Sequence, residues 1–124
     1  MPRNSPALPE DRCKIKKVLK KSDVDDSSRL LLAKVDVQAH ILPHVMGDGR
    51  RLDEGEEVEV AVWDMDTGSE HVLVLKKWKT GSFVLKKEWM SEFVRRRGLE
   101  KNDEIGLRWD DVNSRLEFTV LNKN

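Results

Sequence analysis

Hydrophobic and polar positions alternate most regularly in the middle and at the end of the chain. Val58, Val60 and Val62 fall on one side of an extended segment while Glu57 and Glu59 fall on the other, the period-two pattern of a half-buried strand. Asp64-Met65-Asp66-Thr67-Gly68 has the composition of a hairpin turn, and residues 71–75 return as a second strand. Ile105, Leu107 and Trp109, a turn over residues 110–114, then Leu116, Phe118 and Val120 predict another strand pair. Shorter apolar runs at residues 14–19, 29–32 and 83–85 predict three more strands. The period changes twice. Val37, Ile41 and Val45 are four apart, with Asp36 near the start and Pro43 near the end, and predict a short helix over residues 35–45. Over residues 87–97, Trp89 and Phe93, then Met90 and Val94, share one helical face, and Gly98 stands where a left-handed cap is wanted. The segments between read as loops: residues 22–28, 47–55 and the basic stretch 76–82. About seven short strands and two short helices predict a mainly β barrel or sandwich.

The chain has 124 residues, a length that favours one domain with a core large enough to need no cross-links. Residues 1–12 hold three of the four prolines without periodicity and are expected to form a disordered tail before a domain at residues 13–124. The one cysteine, Cys13, fits a reducing compartment. No apolar run is long enough to span a bilayer, so no membrane partner is expected.

Charge alters this picture through its distribution. There are 23 basic and 23 acidic residues, but they are segregated. Residues 14–21 carry five lysines and no acid; residues 76–101 carry nine cations against Glu88, Glu92 and Glu100; residues 48–70 carry nine acids against Arg50 and Arg51. A polyanion responds to the local field of such patches rather than to net charge.

Catalytic and metal chemistry find little support. His40 and His44 are four apart with no third ligand nearby in sequence. Asp64, Asp66 and Gly68 imitate part of a calcium loop, but Leu75 stands where the bidentate glutamate belongs. There is no phosphate-binding glycine loop and no nucleophile elbow, and Ser22-Asp23 reads as a turn or cap. No enzyme activity, cofactor or metal is expected. Trp63, Trp89 and Trp109 sit on apolar faces and are expected in the core, and Arg95 to Arg97 end a helix, where cations favour the dipole.

Lys20-Lys21-Ser22-Asp23-Val24 with Arg29-Leu30, then Trp78-Lys79-Thr80-Gly81-Ser82-Phe83-Val84-Leu85, Trp89, Phe93-Val94, Leu99 and Asn102-Asp103-Glu104-Ile105 together resemble the plant B3 DNA-binding domain. The resemblance runs over residues 14–120. It implies a seven-stranded open β-barrel, or pseudobarrel, with two short α-helices and two arms that enter the DNA major groove. Carried over, the first arm spans residues 21–29 and the second residues 76–82. The implied DNA-binding residues are Lys20, Lys21, Ser22, Arg29, Lys76, Lys77, Trp78, Lys79, Thr80 and Ser82. Lysines neutralise phosphates and supply sequence-independent affinity; Thr80 and Ser82 can meet base edges or phosphates, and Gly81 lets the backbone approach. The chain departs from the family pattern at Asp25, Asp26, Ser27 and Ser28, where DNA-reading members tend to carry basic or amide residues, at Leu32-Ala33, and at Asn102-Asp103. The resemblance thus implies a nuclear, sequence-preferring double-stranded DNA-binding protein of the transcription-factor kind. The alternative is a B3-fold protein-interaction module that has lost DNA binding and presents the acidic segment 48–70 to a partner.

Overall fold

The computed structural model describes residues 13–45 and 48–123; the predicted tail, residues 1–12, lies outside them. Seven strands, Ile15–Val18 (β1), Leu30–Leu32 (β2), Val58–Asp64 (β3), Ser69–Lys77 (β4), Phe83–Lys86 (β5), Glu104–Asp110 (β6) and Arg115–Asn122 (β7), form one sheet in the order β1-β6-β7-β3-β4-β5-β2. Six neighbouring pairs hold it together. Five are antiparallel, and β3 with β7 is parallel, Val62 opposite Leu116. The sheet curls into an open barrel, as predicted. Its free edges are β1 and β2, and the connection between them is the first arm.

The alternation read from the sequence is the alternation observed. Val58, Val60 and Val62 are buried, as are Leu73, Leu75, Ile105, Leu107, Leu116 and Phe118. These join Trp89 and Phe93 in one contiguous core, with Val120 packed at its margin. Trp89 stacks on Phe93 at 5.4 Å between centroids, and Phe93 meets Phe118 edge-on at 4.8 Å. Burying aromatic rings of this size supplies much of the driving force for closing the barrel.

Helical content is more fragmented than the two helices predicted. The first is Lys34–His40 (α2), continued by a 3-10 turn at Leu42–His44, the tighter winding coming where Pro43 withholds its N–H. The last is π-helical over Met90–Arg95 (α4). It ends as expected at Gly98, with φ +65°, where Leu99 N–H reaches back to Val94 O at 2.9 Å. Two further pieces lie where loops were predicted. Lys21–Val24 (α1) is a single turn inside the first arm, and Asp48–Asp53 (α3) occupies the acidic segment. A single helical turn has no room for an apolar period, so α1 left no such signal in the sequence.

Of the three tryptophans expected in the core, Trp89 is central, Trp109 packs at its margin and Trp63 lies outside it. Trp89 is 1% exposed, but Trp63 and Trp109 are only partly buried. Trp63 falls on the outer side of its strand's alternation, under the Arg115 guanidinium at 4.2 Å, whereas Trp109 keeps the inward parity of Ile105 and Leu107 and packs at the margin of the core, stacked on His44 at 5.6 Å.

Candidate nucleic-acid interface

The first arm is built around one buried carboxylate. Asp23, 1% exposed, accepts from Lys20 N–H at 2.8 Å and from Leu31 N–H at 3.1 Å. It is also 3.4 Å from Lys17 Nζ. Its own carbonyl accepts the Trp89 indole N–H at 2.7 Å. The carboxylate therefore caps α1, ties the arm to β2 and pairs with β1, while the core tryptophan anchors the same residue from below. Beyond α1 the chain turns at Asp25, whose carboxylate accepts from Ser27 N–H at 2.8 Å. That bond, with lesser help from Lys21 and Arg29, holds the Asp25 carboxyl below the ordinary aspartate value. Ser28 then adopts φ +49°. Its hydroxyl donates to Lys87 O at 3.0 Å and accepts from Met90 N–H at 3.1 Å, which fastens the arm to the start of α4. Lys87 too has positive φ, +71°. Such conformations cost about 1 kcal/mol or more each, and the Ser28 bridge holds both.

The second arm is shorter than predicted. Lys76 and Lys77 belong to β4, where they pair with Val84 and Phe83 of β5; the backbone ladder outlasts the apolar pattern that ends at Leu75. The arm proper is residues 78–82, closed by Trp78 N–H to Ser82 O at 2.8 Å and Gly81 N–H to Trp78 O at 2.9 Å. Gly81 takes φ +94°, a conformation that side chains rarely tolerate. Lys79 and Thr80 are exposed at the tip, and Ser82 is half-buried at its foot.

The two arms meet. The Arg29 guanidinium lies 4.5 Å over the Trp78 ring, a cation–π contact between residues 49 positions apart. Trp78 is thereby a half-buried rim residue that joins the arms. Beside this contact runs a groove of about 500 Å³, lined by Ser27, Ser28, Arg29, Glu57, Trp78, Val84, Lys86 and Lys87. A second depression of about 390 Å³ runs along Lys76, Lys77, Trp78, Lys79 and Thr80. Arg29, Trp78 and the residues of the second arm are thus brought together, with Lys76 and Lys77 on the adjoining strand. Lys20 and Lys21 are exposed at the foot of the first arm, and Ser22 is half-buried beside them.

Several residues at these arms had no place in the sequence-derived site. Lys86 and Lys87 line the groove. Two acids of the acidic segment reach the same region: Asp53 pairs with Lys77 at 3.1 Å, and Glu57 with Lys86 at 2.6 Å. The local excess of lysine over residues 76–101 was the available signal for Lys86 and Lys87, but only the folded sheet brings Glu57 opposite them. Other acids of the segment are also paired within the chain: Glu56 with Arg51, Glu70 with Arg115, and Asp64 and Asp66 with Arg97. Among the described residues no group of three or more His, Cys, Asp or Glu is placed to hold a metal ion.

Residues 13–121 match the family model for the B3 domain-containing protein At5g26805, C-terminal domain. Similar curated proteins come from Arabidopsis thaliana. The B3 domain-containing protein At1g78640 is 46% identical over 109 residues, which cover 86% of this chain and 22% of that protein. At4g02870 is 38% identical over 117 residues, covering 89% of this chain and 35% of that protein. At1g10455 is 33% identical over 110 residues, covering 88% and 70%. The chain therefore spans about a fifth and a third of the length of the first two relatives. Among solved structures, the Arabidopsis FUS3-DNA complex superposes with a TM-score of 0.74 at 22% identity, over 91% of this chain and 100% of that one. The Arabidopsis thaliana transcription factor LEC2-DNA complex gives 0.68 at 27% identity, over 91% and 96%.

Proposed function

The chain belongs to the B3 domain family, and from that premise we propose that it binds double-stranded DNA with its two arms in the major groove. It does so as the DNA-contacting part of a plant transcription regulator that works in the nucleus. The observation that carries this reading is the convergence of the arms: Arg29 stacks on Trp78, with Lys76, Lys77 and Lys79 beside that contact. Lysines on flexible stems suit phosphates. Thr80, exposed on a turn fixed by two backbone hydrogen bonds, suits a base edge or a phosphate whose position the lysines set. Lys20, Lys21 and Ser22 contribute from the first arm. The likeness to the LEC2-DNA complex supports the same reading.

A second reading has its own support. Asp25 and Asp26 stand in the first arm, and Asp53 and Glu57 neutralise two cations at the second. That balance suits a module that has exchanged DNA for a protein partner. Selection of preferred sites from random duplexes, followed by titration at several salt concentrations, separates the two. DNA binding gives an enriched motif and an affinity that falls with salt, by about 0.9 in log–log slope for each phosphate neutralised. Failure to bind any duplex at low salt overturns the DNA reading.

A further inference from the structure

Glu57 is an acid in a place built for anions. It is the first residue before β3, outside the sheet, yet its carboxylate lies 2.6 Å from Lys86 Nζ and on the wall of the groove between the arms. Lys76 and Lys87 add to the positive field around it, behind the dominant hydrogen bond from Lys86. Arg29, which lines the same groove, has a buried Nη1 without a hydrogen-bond partner. Buried guanidinium donors are ordinarily satisfied, and a phosphate oxygen satisfies them well. The groove thus gathers Arg29, Lys86 and Lys87 with Ser27 around a single carboxylate. The Lys86–Glu57 pair is about a third exposed on both sides, and ion pairs so exposed add little to stability. Holding the sheet together does not explain it.

We propose that the groove between the arms is a phosphate subsite whose resident counter-anion is the Glu57 carboxylate, displaced when a backbone phosphate of the duplex enters. The inference rests on the DNA-binding reading and deepens it. An internal carboxylate occupying a cation site acts as a threshold. It lowers affinity for every duplex alike, because a phosphate carries no sequence information, and it keeps Lys86 from trapping smaller anions.

The test is a set of duplex titrations over a range of salt with the full chain, its Glu57→Gln and Glu59→Gln variants, and Lys79→Ala as a marker of the exposed tip. Glu59 is the control because it carries the same charge two positions away but lies in a separate depression with His44 and Trp109. Thermal melting of each variant checks that the fold is retained. Glu57→Gln is expected to tighten binding about threefold on preferred and scrambled duplexes alike. It is also expected to steepen the log–log salt slope by about 0.9, since the groove then presents one more uncompensated cation. Glu59→Gln leaves the slope unchanged. The subsite is refuted if Glu57→Gln leaves both affinity and slope at the parent values, or if the two glutamate variants shift them equally. When Lys79→Ala weakens binding in that same experiment, the DNA reading survives and only the subsite falls. When no protein in the set binds duplex at low salt, both fall.

Discussion

At the turn between β3 and β4 the cations are arginines, and they are committed to acids of the same chain. Arg96 and Arg97 both reach the Asp64 carboxylate at 2.7 Å, and Arg97 continues to Asp66 at 3.0 Å. Asp66 in turn accepts from the Thr119 hydroxyl at 2.7 Å. Asp64 is fully buried. Around the groove between the arms the cations are mainly lysines, exposed or half-exposed, and the pairs Lys77–Asp53 and Lys86–Glu57 involve carboxylates that are themselves partly in water. The first cluster is centred on a buried carboxylate, forked and closed; the second is wet, flexible and open. A buried pair that loses one member leaves an uncompensated charge in the interior, whereas a wet pair can change partners at small cost. Charge runs that look alike in a sequence thus divide by burial into one that locks α4 to the β3–β4 turn and one free to meet a polyanion.

The sharpest way to break this comparison is at Asp64. Asp64→Ala takes the buried carboxylate from Arg96 and leaves Arg97 with Asp66 alone, and is expected to cost about 3 kcal/mol of stability in chemical denaturation, with duplex affinity of the remaining folded protein unchanged. Should it weaken DNA binding without destabilising, the two clusters are not separate in role. The pH dependence has the same origin. Burial pushes the Asp64 carboxyl up, but hydrogen bonds from Arg96 and Arg97 outweigh it and hold the group below the usual aspartate value. A depressed folded value means that this stabilisation is present above the unfolded value near pH 4 and is lost as pH falls through the folded one. Acid titration followed by tryptophan fluorescence is expected to show the loss below about pH 4, and Asp64→Asn to remove that component.

At the arms the expected effects are smaller and fall on binding. Thr80→Ala is expected to cost about 1–3 kcal/mol on the preferred site and little on a scrambled one. Ser82→Ala, at the half-buried foot, should cost less, so equal effects would show that the whole turn faces bases. Lys79→Ala and Lys77→Ala are expected to leave stability within about 0.5 kcal/mol while flattening the salt slope by about one unit each. Asp26→Asn, at the exposed tip of the first arm, brings the smallest change, a slight tightening that is equal on all duplexes and disappears at high salt.

The strands were legible where apolar alternation and backbone pairing coincide, as along Val58, Val60 and Val62 or Leu116 and Phe118. They were misread where the two part company: β4 keeps its ladder through Lys76 and Lys77 although its apolar positions stop at Leu75. The helix at Asp48–Asp53 was missed because its single apolar residue, Leu52, though buried in the core, is too little to set a helical period. Both arms were found as polar loops between strands, but their junction was not. The Arg29–Trp78 contact and the Glu57–Lys86 pair join residues far apart in sequence, and no local period reports such a meeting. The arginines at the end of α4 were assigned to the helix dipole; their carboxylate partners on the β3–β4 turn required the fold.

The footing of the first arm bears on the order in which the molecule is made. Leu19 N–H donates to Asp103 O at 2.8 Å, Asn102 N–H donates to Leu19 O at 2.8 Å, β1 pairs with β6, and Asp23 hangs from the indole of Trp89. All of these partners are synthesised long after the arm itself, at roughly 5–20 residues per second on the ribosome. The turn of the second arm, by contrast, is closed within the hairpin of β4 and β5, by Trp78 N–H to Ser82 O. Contacts of such long span are slow to form, since their loop-closure entropy must be met before they contribute. A chain interrupted before Asn102 is therefore expected to hold the first arm without the Leu19–Asp103 and Asn102–Leu19 bonds that foot it.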